Sequence, residues 1–102
     1  MLPAERPLTD DEYQWIAQNH RDIIANLDSG ELLPVLFYKF QCISQDHFNK
    51  IKLLKHGTEE MNKNLLEVVI KRSKADNDNF QRALEMTGQQ SLADVLKNGA
   101  GG

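Results

Sequence analysis

Nucleophilic catalysis needs an activated Ser, Thr or Cys beside a base and a group that orients it. The single cysteine, Cys42, stands in a predicted turn next to Ile43 and reads as a small, half-buried apolar residue. The three histidines, His20, His47 and His56, never pair at i, i+4, the spacing that sets two imidazoles on one helix face. His20 with Asp22, or His47 with Asp46, offers a metal two ligands at most, and a solvated helix surface accounts for both pairs. The carboxylate pairs Asp10-Asp11 and Glu59-Glu60 fall at predicted helix starts, where the positive end of the helix dipole favours acids. The glycines sit singly at turns or in the last four residues, so no glycine-rich phosphate loop is formed. No catalytic residue, metal or cofactor is therefore expected, and the chain reads as something other than an enzyme.

A protein without such chemistry acts through surfaces, and here helices must position them. Thr9-Asp10-Asp11-Glu12 reads as a capping box, with Leu8 and Tyr13 as a hydrophobic staple. Tyr13, Ile16, Ile23, Ile24 and Leu27 recur at helical spacing and predict a first helix over 9–27, with a bend admissible at Asn19-His20. Asp28-Ser29-Gly30 punctuates the chain. A second helix follows over Glu31 to Phe40, with Pro34 near its first turn, where a missing N–H matters least. Ser44 caps a third helix, which carries Phe48, Ile51 and Leu54 inward and stops at Gly57. Thr58 caps a fourth, with Met61, Leu65, Val68 and Val69 as its core stripe and Lys71-Arg72 at its end. Asp76-Asn77-Asp78-Asn79 reads as a polar break before a fifth helix with Phe80, Ala83 and Leu84, closed by Gly88. Ser91 caps a short sixth helix with Leu92, Val95 and Leu96 inward. No segment alternates with period two. The expected fold is an all-α, six-helix antiparallel bundle over 9–97, with a leader at 1–8 and a glycine-rich tail at 98–102.

The 102 residues suit one domain, and a lone cysteine excludes an intrachain disulfide. No oxidising compartment is needed, and a cytoplasmic location is expected. The longest apolar run, Leu32 to Tyr38, is seven residues and falls far short of a membrane span. The first residues are acidic where a signal peptide would be basic and then apolar. A net charge of −3 argues against a general polyanion binder. The charge is nevertheless uneven. Residues 1–38 carry seven acids against two bases, 39–74 eight bases against four acids, and 75–102 four acids against two bases. Opposite-sign regions on one small body favour association with a like module. The basic stretch Lys50, Lys52, Lys55 and Lys63 leaves a second class of function open, a small helical nucleic-acid-binding or regulatory domain. Only Phe48 interleaves those lysines with an aromatic ring.

Four segments, in order, resemble caspase recruitment domains (CARDs) of the death-fold superfamily. His20-Arg21-Asp22-Ile23-Ile24 with Leu27 and Leu32-Leu33 is similar to their first and second helices. Cys42 to Ile51 looks like the Ser-led entry into the third helix. Lys63 to Val69 follows the fourth-helix pattern of a basic residue and a leucine-rich stripe. Phe80 to Gly88, followed by Leu92-Ala93-Asp94-Val95-Leu96, is similar to the family's ending. The resemblance covers about residues 10–97. Two places depart from it. Arg72-Ser73-Lys74-Ala75-Asp76 replaces the Arg-Gly or Lys-Gly that many members carry after the fourth helix, and Pro34 stands where several place an acid. The resemblance implies a homotypic module without turnover, binding CARD-containing caspases, adaptors or scaffolds, with homo-oligomers or filaments as products. No membrane or nucleic-acid partner is implied. Carried over by position, the basic face would hold His20, Arg21, Lys63 and Arg72, and the acidic face Asp28, Glu31 and Asp46. Asp28 also suits a helix cap, and Glu31 and Asp46 also suit helix N-termini.

Overall fold

The structure is a computed structural model that describes residues 6–55 and 57–100 of the chain. Its regular elements are all helical: α1 (Asp10–Gln18), α2 (His20–Asn26), α3 (Ser29–Pro34), a π-helical turn (Val35–Lys39), α4 (Gln45–Lys52), α5 (Glu59–Ile70), α6 (Lys74–Met86) and α7 (Gln90–Ala100). Among the described residues there is no β-strand, only an isolated bridge between Pro7 and Ser73, and no helix is long and apolar enough to cross a membrane.

The capping box forms as expected: the Glu12 N–H donates to Thr9 Oγ1 at 3.2 Å and the Thr9 N–H to Glu12 Oε1 at 2.9 Å. The helix predicted over 9–27 is broken at Asn19. Its side-chain Nδ2 donates to the Trp15 carbonyl at 2.8 Å, and its backbone leaves helical geometry at φ −101°, ψ 8°. The Asn19 amide thus bonds back to the fourth carbonyl before it at the point where the helix breaks. Tyr13, expected inward, is 47% exposed, because α1 turns Ile16 and Trp15 toward α7 instead. The Trp15 indole donates to the Val95 carbonyl at 2.7 Å.

The second helix starts earlier than its spacing suggested. Asp28 caps it, accepting from the Glu31 N–H at 3.3 Å, so α3 begins at Ser29 and Pro34 is its last residue. Proline offers no N–H to the preceding turn, so the ladder is already interrupted where the chain widens into the π turn. That turn closes with Phe40 N–H donating to Val35 O at 3.2 Å, and Cys42 N–H to Leu36 O at 3.0 Å. Gln41 reverses the chain in the left-handed region, φ 53°, where glycine would be the easier choice.

Ser44, Thr58 and Ser73 cap α4, α5 and α6, each accepting from the N–H three residues on. Gly57 adopts φ 77° but does not close α4, which ends at Lys52; it turns the chain into Thr58. The tetrad Asp76-Asn77-Asp78-Asn79 is not a break. It lies inside α6, because Ser73 caps the helix at Lys74 and Asn77 falls on the buried stripe with Phe80 and Leu84. Gly88 closes α6 as expected, φ 77°, with Gln89 N–H donating to Leu84 O at 2.8 Å. Ser91 is not a cap: α7 starts one residue before it, at Gln90.

Helix α5 is the axis of the core and packs against α2, α3, α4 and α6, while α7 covers α1 and α6. Met61, Leu65, Leu66 and Val69 are buried, whereas Val68 is half-buried at the rim. Residues 6–8, expected in a leader, are part of the fold. Leu8 packs on the core, the Lys74 N–H donates to Arg6 O at 2.7 Å, and the Arg6 guanidinium meets Glu12 at 2.8 Å. At the other end the helix continues through Asn98 to Ala100 where a tail was expected, and the last two glycines lie outside the described residues.

Candidate interaction surfaces

The cysteine and the described histidines, the residue types that could do chemistry, are buried or dispersed. Cys42 is 1% exposed, its Sγ lies 3.6 Å from the Leu36 carbonyl, and burial pushes its thiol up to about 11. It is a protonated, apolar filler at neutral pH. His20 and His47 lie on different helices, and His56 lies outside the described residues. Among the described residues no three His, Cys, Asp or Glu side chains gather closely enough to hold a metal ion.

Of the four basic candidates, Arg21 is exposed on α2 and Lys63 is exposed on α5, and these two helices pack against each other. Among the described residues neither side chain makes an ion pair or hydrogen bond. His20, the first residue of α2, is half-buried. Arg72 is separated from this pair. It follows α5, about 13 Å along the axis from Lys63, and its Nε donates to Asp76 Oδ2 at 2.8 Å, tying the α5–α6 turn.

The acidic candidates divide the same way. Glu31 and Asp46 are exposed in the first turns of α3 and α4, which are in contact, and neither has an ion-pair partner among the described residues. Asp28 is exposed too and also caps α3, accepting from the Glu31 N–H. Its own N–H also donates to Gln89 Oε1 at 2.8 Å, tethering the α2–α3 joint to the α6–α7 turn. A groove of about 280 Å³ between α4 and α5 is lined by His47, the residue after Asp46, and by Glu67, Lys71 and Arg72.

Other charges are taken up inside the fold. Glu12 accepts from Arg6 and from Thr9, and Lys74 approaches it at 3.8 Å. The Arg6 hydrogen bond, with those from Thr9, holds the Glu12 carboxyl at about 2 against the opposing effect of burial. Lys74 also pairs with Asp78, and Lys97 with Glu85.

Two buried amides tie helices together; the sequence reading passed over Asn62 and placed Asn77 in a polar break. Asn62 accepts from Ser29 Oγ at 2.7 Å and donates to the Ile24 carbonyl at 2.8 Å. It thereby locks the end of α2 and the start of α3 onto α5. Asn77 donates to the carbonyls of Val69 and Ser73, each at 3.0 Å, and fixes the α5–α6 turn. Their spacing was the available signal: Asn62 stands at i, i+3, i+4 and i+7 with Leu65, Leu66 and Val69. A further surface was also missed. Tyr38, 69% exposed, stands beside the stacked rings of Phe37 and Phe48, whose centroids are 4.2 Å apart, and Leu53 at the end of α4 is 82% exposed.

Compared with known protein families, with curated proteins and with solved structures, the chain finds no match.

Proposed function

We propose that this chain is a homotypic interaction module of the caspase recruitment type. In this reading it recruits and clusters CARD-bearing partners, caspase zymogens or adaptors, in apoptotic or innate immune signalling. One observation carries it: Arg21 and Lys63, exposed and without a bonded partner among the described residues, stand on a different helix pair from Glu31 and Asp46, although the first pair also exposes Asp22, Glu59, Glu60 and Glu67 and the second Lys50 and Lys52. Arg21 and Lys63 stand on the packed pair α2 and α5, Glu31 and Asp46 on the packed pair α3 and α4. Of the other candidates, Arg72 pairs with Asp76, and Asp28 caps α3 while remaining exposed.

The helix order agrees with the reading. With α1 and α2 taken as one helix broken at Asn19, and α3 joined to its π turn, the elements number six, as in a death fold. Glu31 lies one turn before Pro34 on the same helix and supplies the acid that Pro34 does not. Two different surfaces of opposite sign make a head-to-tail contact, which generates rings or filaments. Each exposed ion pair contributes about 0–1 kcal/mol, so assembly needs several contacts at once and weakens with salt.

The test is binding of the labelled chain to a panel of CARDs, itself included, at low and high ionic strength. Arg21→Glu and Asp46→Arg should each weaken binding by about tenfold or more, with helical content and thermal midpoint unchanged. Binding that persists in both variants refutes the reading. So does salt-steep binding to DNA or RNA that depends on Lys50, Lys52 and Lys55 while no CARD binds.

A further inference from the structure

A groove of about 440 Å³ lies between α2 and the α6–α7 turn, and its volume is that of a site for a small organic molecule. Helix α2 packs chiefly on α5, and α7 chiefly on α6 and α1, which leaves the space between their facing walls open. Gln89, one of the lining residues, holds the walls in place. Its Oε1 accepts from the Asp28 N–H at 2.8 Å, and its Nε2 donates to Thr87 Oγ1 at 2.7 Å. These bonds tie the α6–α7 turn to the α2–α3 joint, so the groove is built before anything enters it.

The lining joins an apolar surface to a set of acceptors. Ile23 and Leu92 are buried and Val95 is half-buried. On the α2 wall, Asn19 and Asn26 both turn their N–H groups onto the protein. Each Nδ2 donates at 2.8 Å to the carbonyl four residues before it, that of Trp15 or of Asp22. The Oδ1 atoms of both amides accept from no described residue, and the Asp22 carboxylate likewise has no hydrogen-bond or ion-pair partner among them. Asn26 follows Asp22 at i, i+4, on the same helix face. Among the described residues Asp22 is the one ionised side chain that lines the groove; Arg21, beside it in sequence, is not part of the lining.

We infer that this groove binds a small organic amine, its ammonium against Asp22, Asn19 and Asn26 and its apolar body over Ile23, Leu92 and Val95. An ammonium carries three donors and no acceptor, which matches a wall whose unbonded groups are acceptors and whose charge is negative. The first turn of α7 forms part of the opposite wall, and helix N-termini favour negative charge. A carboxylate on the same apolar body is therefore the direct rival, and a neutral hydroxyl is the measure of what the apolar lining does alone. The site uses none of Arg21, Lys63, Glu31 or Asp46, and it goes beyond the homotypic reading without depending on it.

The test is a nitrogen-15 NMR titration of the folded chain with three probes on one phenyl body: phenethylamine, phenethyl alcohol and hydrocinnamate. Phenethylamine should saturate with a Kd of about 1 mM or tighter. Its shifts should centre on Asp22, Asn26, Gln89 and Leu92. The alcohol should bind about tenfold more weakly, and hydrocinnamate more weakly still. Asp22→Asn should weaken phenethylamine about tenfold, with the thermal midpoint unchanged, because the carboxylate supports no other described residue. Asn26→Lys places a tethered ammonium one turn from Asp22 and should block the amine in a chain that remains folded. Alcohol binding as tight as the amine overturns the inference, since an apolar cleft alone would do that. Tighter binding of hydrocinnamate overturns it too, as do shifts centred on Asp10 and Asp11 or no saturation by about 10 mM. Unchanged amine affinity in Asp22→Asn has the same force. If that variant loses stability, Asn26→Lys decides: a folded chain of that variant that still takes up the amine refutes the site.

Discussion

Replacing Asn62 by alanine should be among the most damaging single changes available in this domain. The residue is 5% exposed and makes two bonds, accepting from the Ser29 hydroxyl and donating to the Ile24 carbonyl. Alanine removes both and leaves two buried polar groups without partners, at about 1–3 kcal/mol each. Alanine's better helix propensity returns about 0.5 kcal/mol. The expected net loss is about 3 kcal/mol, a large share of the roughly 5–15 kcal/mol that holds a domain of this size together. Urea unfolding followed by circular dichroism should show a lower midpoint with an unchanged slope, and the thermal midpoint should fall by roughly 10–20 °C. The double variant with Ser29→Ala should lose less than the sum of the two singles, by about 1 kcal/mol, since the second change removes an already orphaned group. Asn64→Ala is the control. It lies two residues on and bonds only to Glu60 O in its own helix, so it should cost under about 0.5 kcal/mol. A cost for Asn62→Ala no larger than that control, or strict additivity with Ser29→Ala, would refute the idea that this buried amide locks α2 and α3 to α5.

Acid titration should expose the Arg6–Glu12 tie. The folded Glu12 titrates at about 2 against an ordinary 4.5, so its contribution is complete above about 4.5 and disappears as the pH falls toward 2. Solvent screening around the half-exposed partner holds that contribution to about 1–2 kcal/mol. Glu12→Gln should remove this part of the pH dependence, and equal acid sensitivity in variant and wild type would contradict the assignment. Cys42 should react with a thiol reagent only as fast as the domain opens, because its thiol is both buried and raised to about 11; prompt stoichiometric labelling of the folded chain would show otherwise. Gln41→Gly should raise stability by about 0.5–1 kcal/mol by relieving the left-handed backbone at φ 53°, and Gly88→Ala at φ 77° should lower it by about 1 kcal/mol, both read from urea midpoints.

The division between local and tertiary information shows in particular residues. Thr9, Ser44 and Thr58 were legible as caps because a cap depends on the next three residues alone. The apolar stripe of α5 and the glycine that ends α6 were legible for the same reason, and so was the all-helical class. Other places depended on how the helices turn and pack against one another. The Asp76–Asn79 tetrad looked like a loop by composition, but Asn77 turns its amide onto carbonyls of the preceding turn and is buried there. Tyr13 looked like core by spacing, but α7 meets the other side of α1, where Trp15 reaches Val95. Among the candidate surface charges, the sequence supplied the signs and the cap at Asp28, while exposure followed from the packed chain. Arg72 is half-buried and pairs with Asp76, whereas Asp28, Arg21, Lys63, Glu31 and Asp46 stay exposed. Charge and periodicity are properties of the chain, readable one helix at a time. Availability belongs to the packed molecule, because a charged group is free only when no neighbour brought by folding lies within a few ångströms of it.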